Sequence, residues 1–359
     1  MDLLYKDDWE ETKERYKAWW AHEYFGRAAI AVRAPLKNPP APEEPERPST
    51  PEERWTDLDY ISALSDYHAS RTFFGAESFP DWGYGYPGNK SLGAFLGCPI
   101  SLDFDTGWLD PIWTDEDFDP RSVTLDEDEP HFQFTLRWLE RCARDAKGKA
   151  IPGVGAFGGG GDTLAALRAT DRLLYDVMDR PETVREADLY LMDLWMQAYD
   201  RFYGIIRDAA EGSTCWFPLW SPGKYYVAQN DFSYMISPAM FRDLFLPTIE
   251  MQTNFLDHTL YHVDGVGAFA HVDALCELPR LQAIQILPGA GKPSPLHYMD
   301  VLKKVQAAGK NLQIGLEPGE VKTALAELSA RGLFITTWCD TEDDAKALLR
   351  NVEKWSVDR

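Results

Sequence analysis

Two side chains able to hold a metal or move a proton stand two residues apart in Tyr261-His262-Val263-Asp264-Gly265-Val266-Gly267. Residues 259–264 read as a strand, whose alternation sends Leu260, His262 and Asp264 to one face and Tyr261 and Val263 to the other. The glycine after Asp264 ends the strand, so the pair falls at the carboxyl end, where α/β proteins gather their ligands. Either the pair acts on a ligand there, or the imidazole is simply hydrogen-bonded by its carboxylate neighbour.

Other chemistry-bearing residues fall on the same kind of position. In Gln313-Ile314-Gly315-Leu316-Glu317 the alternation groups Gln313, Gly315 and Glu317. Glu317 is then a general acid/base at a barrel mouth or a rim ion pair. Asp231 precedes the helix start Ser237-Pro238, where it either orients substrate or accepts backbone N–H groups of the turn. Trp220, Tyr225 and Trp338, with Gln285 in the run 281–287, are the expected substrate contacts, the aromatic ones as stacking walls. Gly158-Gly159-Gly160-Gly161 before a helix resembles an anion cradle, but no lysine follows, which favours close backbone approach.

The elements that must position these residues become regular in the second half. A long amphipathic helix begins at Pro181 and stops before Gly212, with Val184, Leu191, Leu194, Trp195, Ala198 and Phe202 as its stripe. Strands are expected at 150–157, 215–220, 259–264, 281–287, 311–317 and 333–339, with a loop over 221–231 after the second, helical segments between strands and no antiparallel hairpin. Pro247 should kink or end the helix that starts at Ser237. Earlier, helices are expected over 8–23 and 55–74, with a strand at 28–32 between them. Residues 35–51 form a Pro/Glu-rich loop, and 79–129 an aromatic and acidic insertion that includes Tyr84 and Tyr86. Repeated βα units imply a parallel sheet, and the strand number favours one closed (β/α)8 TIM barrel over residues 1–359.

With 58 acidic against 36 basic residues, the formal net charge is −22. That charge repels phosphate backbones and anionic bilayers, so neither nucleic acid nor membrane is an expected partner. The first residues show no basic segment followed by an apolar core, and the expected location is the cytoplasm. The five cysteines have no short paired spacing, which argues against a disulfide framework.

The order Gln229-Asn230-Asp231-Phe232-Ser233-Tyr234-Met235-Ile236-Ser237-Pro238-Ala239-Met240-Phe241-Arg242, then Leu246-Pro247, then Tyr261-His262-Val263-Asp264-Gly265 resembles the uroporphyrinogen decarboxylase superfamily. The similarity runs from about residue 151 to residue 355. It implies a single barrel with its active site in the carboxyl-terminal mouth, and one of two chemistries: cofactor-free decarboxylation, or zinc-dependent methyl transfer with a corrinoid protein. The decarboxylases carry an arginine-rich loop after the first strand, where this chain reads Arg33-Ala34-Pro35-Leu36-Lys37-Asn38-Pro39-Pro40. The methyltransferases hold zinc with a His-x-Cys and a distant second Cys. Here His262, then Asp264 in place of the first cysteine, then Cys339 occupy those positions.

The resemblance therefore implies a zinc-dependent methyltransferase with His262, Asp264 and Cys339 on the metal and Asp231 and Glu317 as catalytic groups. The corrinoid would reside on a separate partner protein. A homodimer is compatible with this reading. The alternatives are a metal-free decarboxylase or lyase on a small aromatic or sugar-like substrate, and a non-catalytic small-molecule-binding barrel.

Overall fold

The computed structural model describes residues 2–40, 43–83, 91–114 and 118–359. At its centre is a seven-stranded sheet formed by Ala29–Pro35 (β1), Thr72–Ala76 (β2), Tyr225–Gln229 (β3), His258–Asp264 (β4), Ala283–Leu287 (β5), Asn311–Gly315 (β6) and Leu333–Trp338 (β7). The spatial order is β2-β1-β7-β6-β5-β4-β3, parallel throughout except for β2. A two-residue parallel ladder joins Asp81–Trp82 to Ile151–Pro152, and a single parallel bridge joins Val154 to Cys215. Among the described residues no helix is long and apolar enough to cross a membrane.

The last four strands lie where alternation and apolar runs put them, to within a residue or two. Earlier the structure corrects the sequence reading. The helix Leu58–Arg71 stops short, and Thr72, Phe73 and Phe74 enter β2, an antiparallel strand with no hairpin signal. β-Branched and aromatic residues favour the pleated sheet over a further helical turn. The strand expected at 215–220 reduces to the bridge at Cys215, and pairing resumes at β3, within the stretch read as loop. Four of the five β3 residues are buried, so no polar alternation marks it.

The loop at 35–51 has no regular structure over 36–40 and 43–50, and a short helix Pro51–Thr56 begins at its end. The 79–129 stretch contains the short strands Ile100–Leu102 and Gly107–Leu109 and the helix Ser91–Phe95. Tyr84, Tyr86 and the acidic residues 115–117 lie outside the described residues. Pro247 sits in the first turn of a new helix, Leu246–Phe255, after a wide π-turn at Phe241–Phe245. A proline tolerates that position because the first-turn N–H has no helical partner.

Three helices matter for the site. Trp9–Trp20 (α1) closes the amino-terminal end of the sheet: Trp9 and Tyr16 pack on Phe79 and Trp220, and Tyr16 stacks on Phe334. Burying each such ring contributes roughly 1.5–3 kcal/mol, so this aromatic plug is a major part of the core. Gly160–Arg168 (α2) follows the glycine run, and Pro181–Ala210 (α3) lays its apolar stripe across the same side. The stop of α3 is a left-handed Glu211, followed by Gly212, where a Cβ would come within 2.0 Å of the Ser221 carbonyl oxygen.

Candidate functional site

Four polar side chains stand level across neighbouring strands. Gln229 of β3 is the register partner of His262 of β4, His262 of Gln285 of β5, and Gln285 of Gln313 of β6. The row is wired by hydrogen bonds. Gln313 Nε2 donates to Thr336 Oγ1 on β7 at 3.1 Å, and Gln285 Nε2 donates to Gln313 Oε1. That leaves Gln285 Oε1 facing His262 Nδ1, so the imidazole carries its proton on Nδ1 and donates it there. In the neutral imidazole Nε2 is then the unprotonated lone pair.

This lone pair faces carboxylates. His262 Nε2 lies 4.0 Å from Asp264 Oδ2, and ligand-type atoms of Asp231, His262 and Asp264 all lie within 4.8 Å of one another. Asp264 Oδ1 is buried and has no hydrogen-bond partner among the described residues. Trp216 meets the His262 ring edge-on, centroids 5.4 Å apart, which limits how the ring can turn. Asp231 and Asp264 line a cleft of about 370 Å³ with Tyr234, Met235, Gly265 and Lys292. One imidazole and two carboxylates around an open cleft fit a zinc-type cation with a position left for substrate. The Asp264 oxygen turned to the imidazole is Oδ2, the one such an ion would use.

Asp231 begins a short 3₁₀ turn, Asp231–Met235, directly after β3. Asp162, in the first turn of α2 and only 3% exposed, accepts the backbone N–H groups of Asp231 (2.8 Å) and Phe232 (3.2 Å) on Oδ1. Its Oδ2 accepts Gln229 Nε2 at 3.0 Å, and the same nitrogen reaches Asp231 Oδ2 at 3.3 Å. Burial first, then the neighbouring Asp231 charge, pushes the Asp162 carboxyl above the ordinary range. Deeper in, Asp188 of α3 is fully buried, with the Thr248 hydroxyl beside its carboxyl. Burial pushes it up to about 8.

Of the residues singled out in the sequence, Asp231, His262 and Asp264 come together, and Gln285 joins them as the partner that orients His262. Cys339 stands outside this group. His262-facing alternation on β7 runs through Thr336 and Trp338, so Cys339 takes the opposite side, where burial and then Asp344 and Asp340 raise its thiol above the ordinary range. Trp338, 53% exposed, does stand at the carboxyl end of β7. Glu317 faces a different cleft, of about 670 Å³, with Ser294, Gly315, Glu320, Thr336 and Thr337; its own N–H is capped by the Glu320 carboxylate at 3.1 Å.

Trp220 and Tyr225 are corrected. Tyr225 opens β3 opposite His258, four residues before the level of His262, which along a strand is about 13 Å. Both rings are buried at the amino-terminal end: Trp220 Nε1 donates to Ala210 O at 2.9 Å, and Tyr225 packs on Trp20. They are core residues, not substrate walls. Sequence reading missed Asp162, Asp188 and Gln229. Only Asp162 carried a signal, as a carboxylate directly after four glycines.

No protein-family model matches the chain, and no curated protein matches it. The functional reading therefore starts from the site itself.

Proposed function

We propose that the chain is a zinc-dependent methyltransferase built on a (β/α)8 barrel, with Asp231, His262 and Asp264 as the protein ligands of the metal and a separate corrinoid protein as its partner. The observation that supports it best is His262, oriented by Gln285, with its Nε2 4.0 Å from Asp264 Oδ2 and ligand-type atoms of Asp231, His262 and Asp264 all within 4.8 Å of one another. The reaction and the partner rest on the resemblance to the uroporphyrinogen decarboxylase superfamily.

The barrel reading draws on the short ladders. The Glu77 N–H donates to Ile30 O as the last rung of the antiparallel β1–β2 register, and beyond it the Arg33 side chain reaches Ser78 Oγ, Phe79 O and Asp81, which keeps 78–82 beside β1 before Asp81–Trp82 pairs with Ile151–Pro152. The proposed barrel counts this segment, the 151–154 segment, β1 and β3 to β7 as its eight strands.

Bound zinc supplies the Lewis acidity that keeps an acceptor thiol ionised near neutral pH. The chain's own residues do the rest. Gln285 keeps the His262 proton on Nδ1, Asp231 and Asp264 balance the ionic charge, and Tyr234 and Met235 wall the cleft. Tyr234, Met235, Leu287 and Trp338 are all more than a third exposed at the strand ends, an apolar rim suited to a partner that delivers the methyl group.

The test is elemental analysis of wild type, His262→Ala and Cys339→Ser, followed by transfer from free methylcobalamin to small thiols, read in the cobalamin spectrum. One equivalent of zinc, lost in His262→Ala and kept in Cys339→Ser, with zinc-dependent demethylation, supports the proposal. Absence of metal from all three proteins overturns it. A metal-free acid/base reading draws on the lack of a thiolate in the cluster, and it requires activity that survives chelation.

A further inference from the structure

We infer that Asp162 is the positioning residue that makes Asp231 a metal ligand, an inference that rests on the metal reading above. Asp231 is exposed and begins a short 3₁₀ turn, which by itself does not hold a carboxylate to the few tenths of an ångström a metal site needs. Asp162 removes that freedom from two sides. Its Oδ1 takes two consecutive backbone N–H groups, fixing the path of the chain at Asp231 and Phe232. Its Oδ2 holds Gln229 Nε2, which also reaches Asp231 Oδ2 and so fixes the carboxylate's rotation. Backbone and side chain of one ligand are thus tied to a single buried group.

The glycine run exists to bring Asp162 there. Gly158, Gly159 and Gly160 all have positive φ (80°, 132° and 52°), a path that side-chain-bearing residues rarely follow. At Gly161 a Cβ would lie 2.5 Å from Asn230 Oδ1, so any side chain there would have to displace the buried Asn230 amide beside the ligand-bearing turn. The run that resembles an anion cradle in the sequence instead sets one helix against a ligand-bearing turn.

The test compares wild type, Asp162→Ala, Asp162→Asn and Gln229→Leu by zinc titration against a chromophoric chelator and by hydrogen exchange at the Asp231 and Phe232 amides. Losing an outer partner of a metal ligand typically weakens binding about 10–100-fold. Asp162→Ala should show that loss together with faster exchange at both amides. Asp162→Asn keeps an oxygen for those amides and should retain their protection, with affinity between wild type and Asp162→Ala. Gln229→Leu should keep the protection but lose part of the affinity. If Asp162→Ala does not fold, the other two variants carry the comparison. Wild-type zinc affinity in Asp162→Ala, or in both Asp162→Asn and Gln229→Leu, overturns the inference. A wild type that binds no zinc overturns the metal reading and the ligand role with it, while the exchange data still report whether Asp162 holds the turn.

Discussion

His262 Nδ1 and Gln285 Oε1 are hydrogen-bonded between directly opposed residues of two parallel strands, β4 and β5. Because the Gln285 NH2 group is turned to Gln313, its Oε1, an acceptor, is the atom that faces His262. The imidazole tautomer is therefore decided one strand away from the carboxylates it faces. Gln285→Leu removes that acceptor at similar volume and leaves Gln313 Oε1 without its donor. Zinc affinity should fall about 10–100-fold, measured by chelator competition, with the fold retained by circular dichroism. Unchanged affinity would mean that Trp216 packing alone orients the ring.

Cys339→Ser tests the ligand set from the other direction. The thiol is buried, and its charged neighbours are Asp340 and Asp344 rather than the cluster at His262. Metal content should be unchanged in this variant and stability should fall by about 1 kcal/mol, the usual scale for a hydroxyl replacing a small buried hydrophobe. Loss of metal in Cys339→Ser would restore the thiol to the ligand set.

What the sequence made legible follows from the range of the forces involved. His262 and Asp264 share a face because alternation is a local property of one strand, and the glycine after Asp264 fixes which end they occupy. Gln285 and Gln313 fall level with His262 only through inter-strand register, which single-strand alternation does not encode. Trp220 and Tyr225 looked like mouth residues because β3 was read as loop, which displaced both from the amino-terminal plug they fill. Asp188 was opaque, and Asp162 marked only by the glycines before it, for another reason. A carboxylate on a helix reads as solvated unless the packing that buries it is known.

Asp188 should make the protein less stable as pH rises. Its carboxyl is pushed up to about 8 by burial, against an ordinary value of 3.8 for the unfolded chain. Between those two values the folded state retains a proton that the unfolded state has lost, so the contribution is full below about pH 4 and disappears as pH approaches 8. Asp188→Asn, a neutral isostere, should flatten this limb and gain a few kcal/mol over wild type at pH 8, measured by denaturant unfolding at several pH values. Parallel pH profiles for the two proteins would show that Asp188 is ionised in the fold.

His258 should shape the opposite, acidic limb. It lies at the amino end of β4, away from the cleft, with Ser221 Oγ 2.8 Å from its Nδ1 and Trp20 packed on its ring. Burial, the leading cause, and the Arg280 charge lower its pKa to about 4, against the raising effect of Asp257. The unfolded chain protonates near 6.5, so above that pH the imidazole is neutral in both states and its contribution is complete. As pH falls from 6.5 towards 4 the unfolded state gains a proton that the folded state refuses, and stability is lost. The gap corresponds to about 3 kcal/mol at its fullest. His258→Gln keeps a hydrogen-bonding group for Ser221 but cannot titrate, so its unfolding free energy should change less between pH 7 and pH 4 by up to that amount. Metal content should be untouched, since the substitution is at the far end of the strand from His262. An acid limb as steep in His258→Gln as in wild type would assign the loss to carboxylate pairs elsewhere, with the buried Glu77, salt-bridged to Arg15 and Arg27, as the first to examine.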